Sequence, residues 1–349
     1  MNRILFAGGG TAGHVEPAIA TAKAWSKKYP GDQISYLGTK SGLENKLISP
    51  SDLILIPKVV APRSISIVSI LSPVQLIRTI SKTLTVVKNF DAVVGFGGYV
   101  SAPAYIAAAL LRKPIVIHEA NAKPGLANRL GAKFASGVGV GYELAQLQLP
   151  NAKVIGNPLK KEIVEASQQS DWESARKLAK QKIGAPSDLP MILILGGSQG
   201  ARSINKVIAE ANLSNYFVLH SLGAGNELPA AKANYQPVSY INNMAEALLA
   251  ADLVISRSGA IACSEIAALA RYALFIPLPI GNGEQALNAQ ALINNGRAEL
   301  ILQNQFTSNW LANHLPNLVK NALTVSAEPS GTEINAPENM VAMIEAALK

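Results

Sequence analysis

Cysteine is almost missing from this chain: Cys263 is the only one in 349 residues. A disulfide framework and any CxxC metal site are excluded with it. Histidine is scarce as well. The four, at 14, 118, 220 and 314, stand too far apart for an HExxH or His-x3-His metal site. Charged residues make up 15% of the chain, below the roughly 25% usual for soluble domains. Apolar residues make up 49%, which excludes disorder over most of the length. Aromatics are 5%, so the cores must be aliphatic. No uncharged run reads as a membrane span. The longest, Ala92 to Leu111, is broken by Gly95, Gly97, Gly98 and Pro103 and reads as strand, turn and helix. The opening MNRILFAGGG has too short an apolar run for a signal peptide, so a cytoplasmic protein with at most peripheral membrane contact is expected.

Acidic residues are absent from 53–90, where Lys58, Arg63, Arg78, Lys82 and Lys88 stand. This belongs to a wider asymmetry. Residues 1–156 hold 17 basic and 7 acidic residues, a net of +10; residues 157–349 hold 14 and 16, a net of −2. A basic half points to phosphate-rich partners, although solubility charge alone would give the same sign. Inside the basic stretch, SISIVSILS (64–72) has no amphipathic period. It is either an apolar patch for an anionic membrane or a buried segment.

What is present is alternation. Short apolar runs at 3–7, 33–37, 52–56, 92–96, 115–118 and 136–140 predict strands, and a second set falls at 190–195, 216–220, 237–241, 252–256, 273–277 and 298–302. Helix-length stretches lie between them. Continuous apolar strands alternating with helices predict α/β domains with doubly wound parallel sheets covered on both faces. RILFAGGGTAG (3–13) and MILILGGSQG (191–200) form a weak internal repeat, one near the start of each half. Two domains facing across a cleft are therefore expected, 1–157 and 158–330, with a last helix in 331–349 packing back on the first.

Three glycine turns follow predicted strands: Gly8 to Gly13, Gly95 to Gly98 and Gly196 to Gly200. Such turns set backbone N–H groups and a helix N-terminus against phosphate. Each alone is ordinary turn chemistry. An NAD site is disfavoured, because the second strand ends Leu37-Gly38-Thr39 with no acid for the ribose. Ser256-Arg257-Ser258-Gly259-Ala260 opens another helix, with Glu265 within its next two turns. Ser258 or Gly259 caps it and leaves N–H groups for a diphosphate, while Glu265 suits two ribose hydroxyls or is a plain surface acid. Gln285 suits sugar hydroxyls or is a helix-start residue. His14 is a candidate general base or a helix cap. His118 and Glu119 end a strand and are either catalytic or packed.

Taken in order, GGGTAGH (8–14), GFGGYVSAP (95–103), HEANAKPGLANR (118–129), GNP (156–158), GGSQGAR (196–202), SRSGAIACSE (256–265) and EQALNA (284–289) resemble the MurG family of glycosyltransferase family 28, the N-acetylglucosaminyltransferases of bacterial peptidoglycan synthesis. The resemblance covers about residues 1–300. It implies a GT-B fold and inverting transfer of N-acetylglucosamine from UDP-GlcNAc to the muramyl 4-hydroxyl of lipid I, making lipid II. For the donor it implies Ser198, Gln199, Ile241 (uracil), Ser258, Gly259, Ala260, Ile261, Glu265, Gln285 and Lys160. For the acceptor it implies Gly9, Gly10, Thr11, Ala12, Gly13, Gly97, Gly98, Tyr99 and Asn121. His14, His118 and Glu119 are the catalytic candidates, with His14 first.

The implied partners are UDP-GlcNAc, lipid I, an anionic membrane surface on the cytoplasmic face and cell-wall assembly proteins. No nucleic acid, metal or cofactor is implied, and the sequence has no Asp-x-Asp pair to hold a cation. Ala12, Ala102 and Ala104 depart from family glycines, Glu16 from an apolar residue, Lys160 from an arginine, and Gly283-Glu284 from the usual run before Gln285. The alternatives are a GT-B diacylglycerol glycosyltransferase, an NAD-dependent oxidoreductase and a non-catalytic recruitment protein.

Overall fold

The computed structural model describes residues 1–57, 67–197, 199–279, 283–325 and 333–349, with 67–76 as backbone only. Strands in chain order are β1 (Arg3–Gly8), β2 (Gln33–Gly38), β3 (Leu53–Leu55), β4 (Ala92–Gly97), β5 (Ile115–Glu119), β6 (Gly137–Val140), β7 (Ala152–Val154), β8 (Met191–Leu195), β9 (Phe217–Ser221), β10 (Tyr235–Val238), β11 (Leu253–Ser256), β12 (Tyr272–Phe275) and β13 (Ala298–Leu300). Helices are α1 (Ala12–Lys28), α2 (Glu44–Leu47), α3 (Ile67–Val87), α4 (Ser101–Leu110), α5 (Leu126–Gly131), α6 (Glu143–Gln146), α7 (Lys161–Ser167), α8 (Trp172–Ile183), α9 (Arg202–Glu210), α10 (Met244–Ala250), α11 (Ala260–Ala268), α12 (Glu284–Asn288), α13 (Gln290–Asn294), α14 (Ser308–Thr324) and α15 (Ala336–Leu348).

Two compact units result. One is Met1–Lys160 with Thr332–Lys349, the other Lys161–Gly331. The first holds a parallel sheet of order β3-β2-β1-β4-β5-β6-β7, the second a parallel sheet of order β10-β9-β8-β11-β12-β13. In both, the strand order reverses at the first strand, between β1 and β4 and between β8 and β11. Ligands in such sheets bind at the carboxyl ends beside that reversal.

The strands are apolar because both faces are covered. In β1, Leu5 and Ala7 enter one core with Val93, Ile115 and Ile117. Ile4 and Phe6 enter the opposite one with Ala18, Ala22 and Trp25 of α1 and Met340, Val341 and Ile344 of α15. The terminal helix thus completes the first unit's core, and its Glu345 accepts from Tyr29 Oη at 2.8 Å and pairs with Lys28 at 2.5 Å.

Two strands depart from the expectation. β7 was not foreseen: it is a three-residue edge strand with exposed Lys153 at its centre, so it lacks an apolar run. β10 begins two residues before the expected 237, because its pairing with β9 runs Tyr235 to Val218 and Pro237 to His220. Pro237 is tolerated on this sheet edge. Most of SISIVSILS falls in α3 and the rest, with Lys58 and Arg63, lies outside the described residues. No described helix is long and apolar enough to cross a membrane.

Candidate active site

In the first unit the site is built where two glycine turns meet. Gly10 sits at φ +94 and Gly98 at φ +83, a region that glycine alone adopts without penalty. A Cβ on Gly98 would lie 2.3 Å from the Gly9 carbonyl, and one on Gly10 would lie 2.7 Å from the Tyr99 ring. The turns therefore abut through bare backbone. Thr11 caps α1 with its carbonyl, which accepts from His14 and Val15. The N–H groups of Ala12 and Gly13 have no intrahelical acceptor. The alanine departures are also explained. Ala12 is the first residue of α1, while Ala102 and Ala104 lie within α4. All three have helical backbone, which alanine favours over glycine by about 1 kcal/mol.

His14 stands half-buried between these turns. Its Nδ1 is 3.2 Å from the Gly9 carbonyl and 3.2 Å from Thr11 Oγ1. A carbonyl only accepts, so Nδ1 carries the proton and Nε2 the lone pair. A Cβ on Gly97 would come within 3.3 Å of Nε2, so the basic nitrogen faces the second turn. Burial holds the imidazole below its ordinary pKa, opposed by the charge of Glu119 and by the Gly9 carbonyl. At neutral pH it is an unprotonated base.

His118 and Glu119 are both buried at the end of β5. His118 is fully buried and donates from Nε2 to the Gly156 carbonyl at 2.9 Å. Burial pushes its pKa down to about 4. It is a neutral clip between β5 and the Gly156 segment. Glu119 accepts four hydrogen bonds, from Asn121 N (2.9 Å), Asn121 Nδ2 (3.2 Å), Gly125 N (2.9 Å) and Asn128 Nδ2 (2.9 Å). These four bonds fix the orientation of the carboxylate, whose charge acts on His14.

Asn128, overlooked in the sequence, joins the group. It is buried, accepts from Tyr105 Oη at 2.7 Å and donates to the His118 carbonyl at 3.1 Å. Asn121 stays partly exposed beside Glu119. Lys160 belongs to the first unit, where its ammonium meets Glu16 of α1 at 2.9 Å. The two departures from the family pattern are thus one ion pair.

In the second unit β11 delivers Ser256 to Gly259 into α11. Gly259 is the N-cap with extended backbone and no side-chain cap. The N–H groups of Ile261 and Ala262 have no intrahelical acceptor. Ser258 is fully buried, and its Oγ has no partner among the described residues. Glu265 is buried two turns along α11, and Ile241 is buried after β10. Gln285 accepts from Leu278 N at 2.9 Å, which leaves its amide N–H groups to donate. Gln199 is exposed beside Gly200, while Ser198 lies outside the described residues.

Two further residues organise this site. Arg257 donates to the carbonyls of Ile276 (2.9 Å) and Pro277 (3.1 Å), and to Ser203 Oγ (2.9 Å) and Gln303 Oε1 (2.5 Å). Asn288 donates to the Ser258 carbonyl at 3.2 Å and so ties α12 to the turn. Their motifs were visible, but not their backbone partners.

Comparison with known proteins shows the family. Residues 4–140 match the glycosyltransferase family 28 N-terminal domain, and residues 191–342 match the family 28 C-terminal domain. The chain belongs to glycosyltransferase family 28. Two family relatives, from Corynebacterium diphtheriae and Streptomyces coelicolor, are each 41% identical to it. The first alignment covers 99% of this chain and 97% of the relative, the second 93% and 90%. Both relatives are named UDP-N-acetylglucosamine--N-acetylmuramyl-(pentapeptide) pyrophosphoryl-undecaprenol N-acetylglucosamine transferase. The crystal structure of Acinetobacter baumannii MurG superposes with a TM-score of 0.72 at 27% identity, covering 99% of both chains. The calicheamicin glycosyltransferase CalG4 shares the fold, with a TM-score of 0.62 at 14% identity. The paired doubly wound sheets of this family 28 chain are those of the GT-B fold, and the chain is a glycosyltransferase.

Proposed function

We propose that this chain transfers N-acetylglucosamine from UDP-GlcNAc to the muramyl 4-hydroxyl of lipid I, with inversion, to give lipid II. Two within-unit observations carry the reading, a neutral, half-buried histidine at the glycine turns of one unit and an open helix N-terminus after β11 of the other, in a chain 41% identical to transferases of that name.

The acceptor hydroxyl oxygen attacks the anomeric carbon while the bond to the UDP oxygen breaks. The proton passes to His14 Nε2. Glu119 sits behind the imidazolium that forms and offsets its charge. The UDP diphosphate, which gains negative charge as it leaves, is met by the N–H groups at the start of α11. Ser258 to Ile261 hold that diphosphate, Glu265 the ribose, Ile241 the uracil, and Gln199 and Gln285 the sugar. The lipid diphosphate lies at the start of α1, on Ala12 and Gly13, with Gly97, Gly98, Tyr99 and Asn121 around the muramyl sugar.

The same reading places the first unit on the cytoplasmic surface of an anionic membrane. Leu126 is 83% exposed, Leu110 65% and Phe134 56%, and the exposed Arg112, Arg129 and Lys133 lie within three residues of them in the chain. Such a patch inserts apolar side chains while the cations meet lipid phosphates. It also places the chain among cell-wall assembly proteins, as its product requires.

The test is transfer of labelled N-acetylglucosamine from UDP-GlcNAc to a short-chain lipid I analogue, with EDTA present and diacylglycerol in a parallel arm. Label on the lipid I analogue alone is expected. Label on diacylglycerol alone would replace the acceptor. Label on neither, with UDP still bound, would leave a recruitment protein.

A further inference from the structure

One buried acid in the first unit has no part in the chemistry above. Glu44 is the first residue of α2 and is fully buried. Its Oε2 accepts from Gly10 N at 3.1 Å, and its Oε1 accepts from Thr39 N at 2.8 Å. Tyr99 Oη lies 3.4 Å from Oε1 and 3.0 Å from Thr39 Oγ1. One carboxylate therefore reaches the turn after β1, the turn after β2 and the tyrosine that follows β4. The backbone is bare where it sits. A Cβ on Gly42 would fall 2.0 Å from its oxygens, and one on Gly38 2.6 Å from its Cγ.

We propose that Glu44 is the positioning residue of the acceptor site. It consumes the Gly10 N–H, fixes the positive φ of that turn, and so leaves the Ala12 and Gly13 N–H groups as the donors for the acceptor's diphosphate. This deepens the reading above and rests on it for the identity of the ligand. Three features require a carboxylate. Both oxygens accept from backbone N–H groups, which an amide cannot do at once. A shorter acid cannot span Gly10 and Thr39 together. The negative charge behind Gly10 also keeps an anion from settling there, so the diphosphate is directed toward the start of α1.

The experiment has two arms. In the unaltered protein, amide exchange resolved to single residues should show Gly10 exchanging at least about 100-fold more slowly than Ala12 and Gly13, because only Gly10 is bonded and shielded. Adding the short-chain lipid I analogue should slow Ala12 and Gly13 and leave Gly10 as it was. Gly10 exchanging as fast as Gly13 would overturn the proposal without reference to activity.

In the second arm, Glu44→Gln and Glu44→Asp are compared with the unaltered enzyme. The KM for the acceptor should rise at least about tenfold, while the KM for UDP-GlcNAc stays within about twofold, as expected when only acceptor binding is disturbed. Equal changes in both KM values, or an unchanged acceptor KM in a folded variant, would overturn it. If the unaltered protein transfers nothing to the analogue while slow Gly10 exchange stands, the acceptor assignment fails and the anchoring role survives.

Discussion

In the first unit the turns at the strand ends are tied together by carboxylates; in the second they are tied by a guanidinium. Glu44 and Glu119 accept from backbone N–H groups around His14. Arg257 donates to backbone carbonyls beside α11. The sheets share a strand order, so the difference is not one of fold. On the function proposed above, it follows the charge each half would manage. A base that gains a proton is served by a fixed negative charge nearby. A leaving diphosphate is served by a fixed positive one, with N–H groups left open. The overall charge runs the other way, since the unit whose turns are tied by carboxylates carries the excess of basic residues. Surface charge gathers ligands, whereas buried charge sets chemistry.

The sharpest way to break the comparison is His14→Ala. Turnover should fall by about 10²- to 10⁴-fold in the lipid I assay, with the KM for UDP-GlcNAc little changed. Near-normal turnover would remove the base from the first unit.

Acid should next affect both units alike. His118 and His220 are buried and held neutral, each with a pKa pushed down to about 4. Their folded values lie below the unfolded one, so the unfolded chain binds protons first as pH falls from 6.5. Each then costs about 3 kcal/mol of stability by pH 4. Urea unfolding at pH 7 and pH 4.5 measures this, and equal midpoints would contradict it.

Ile344→Ala separates the units by stability. Its side chain is fully buried in the core that α15 shares with α1, β4 and β5, so the first unit should lose about 2–4 kcal/mol while the second is unchanged. Calorimetry should show one transition moving and the other fixed.

Arg257→Lys keeps the charge but loses the planar fork. The KM for UDP-GlcNAc should rise roughly tenfold, about 1.4 kcal/mol, with the acceptor KM unchanged. A rise in the acceptor KM instead would mean that the two kinds of anchor do not divide the substrates.

Most of the fold could be read in advance because parallel strands covered on both faces are plain apolar runs, as in Ile4 to Ala7 and Met191 to Leu195. The exceptions were edge strands, where Lys153 and Pro237 face conditions the centre of a sheet does not allow. The glycine turns were readable for the same local reason. What escaped was the polar support. Glu44, Asn128, Arg257 and Asn288 each reach a backbone group 10 to 34 residues away in the chain, as in Gly10 to Glu44 and His118 to Asn128. No local pattern distinguishes such a residue from a solvated one. The Lys160–Glu16 pair shows the same limit, since each looked like an isolated oddity.

The first unit is made of two stretches of chain with the whole second unit between them. During synthesis the ribosome therefore releases β1, β4 and α1 long before α15 exists. Until residues 336–348 emerge, the face formed by Phe6, Trp25, Phe96 and Val116 lacks its cover. The second unit, whose chain is continuous, can finish folding first. Until then the first unit keeps that apolar face open, and the last residues made are the ones that close it.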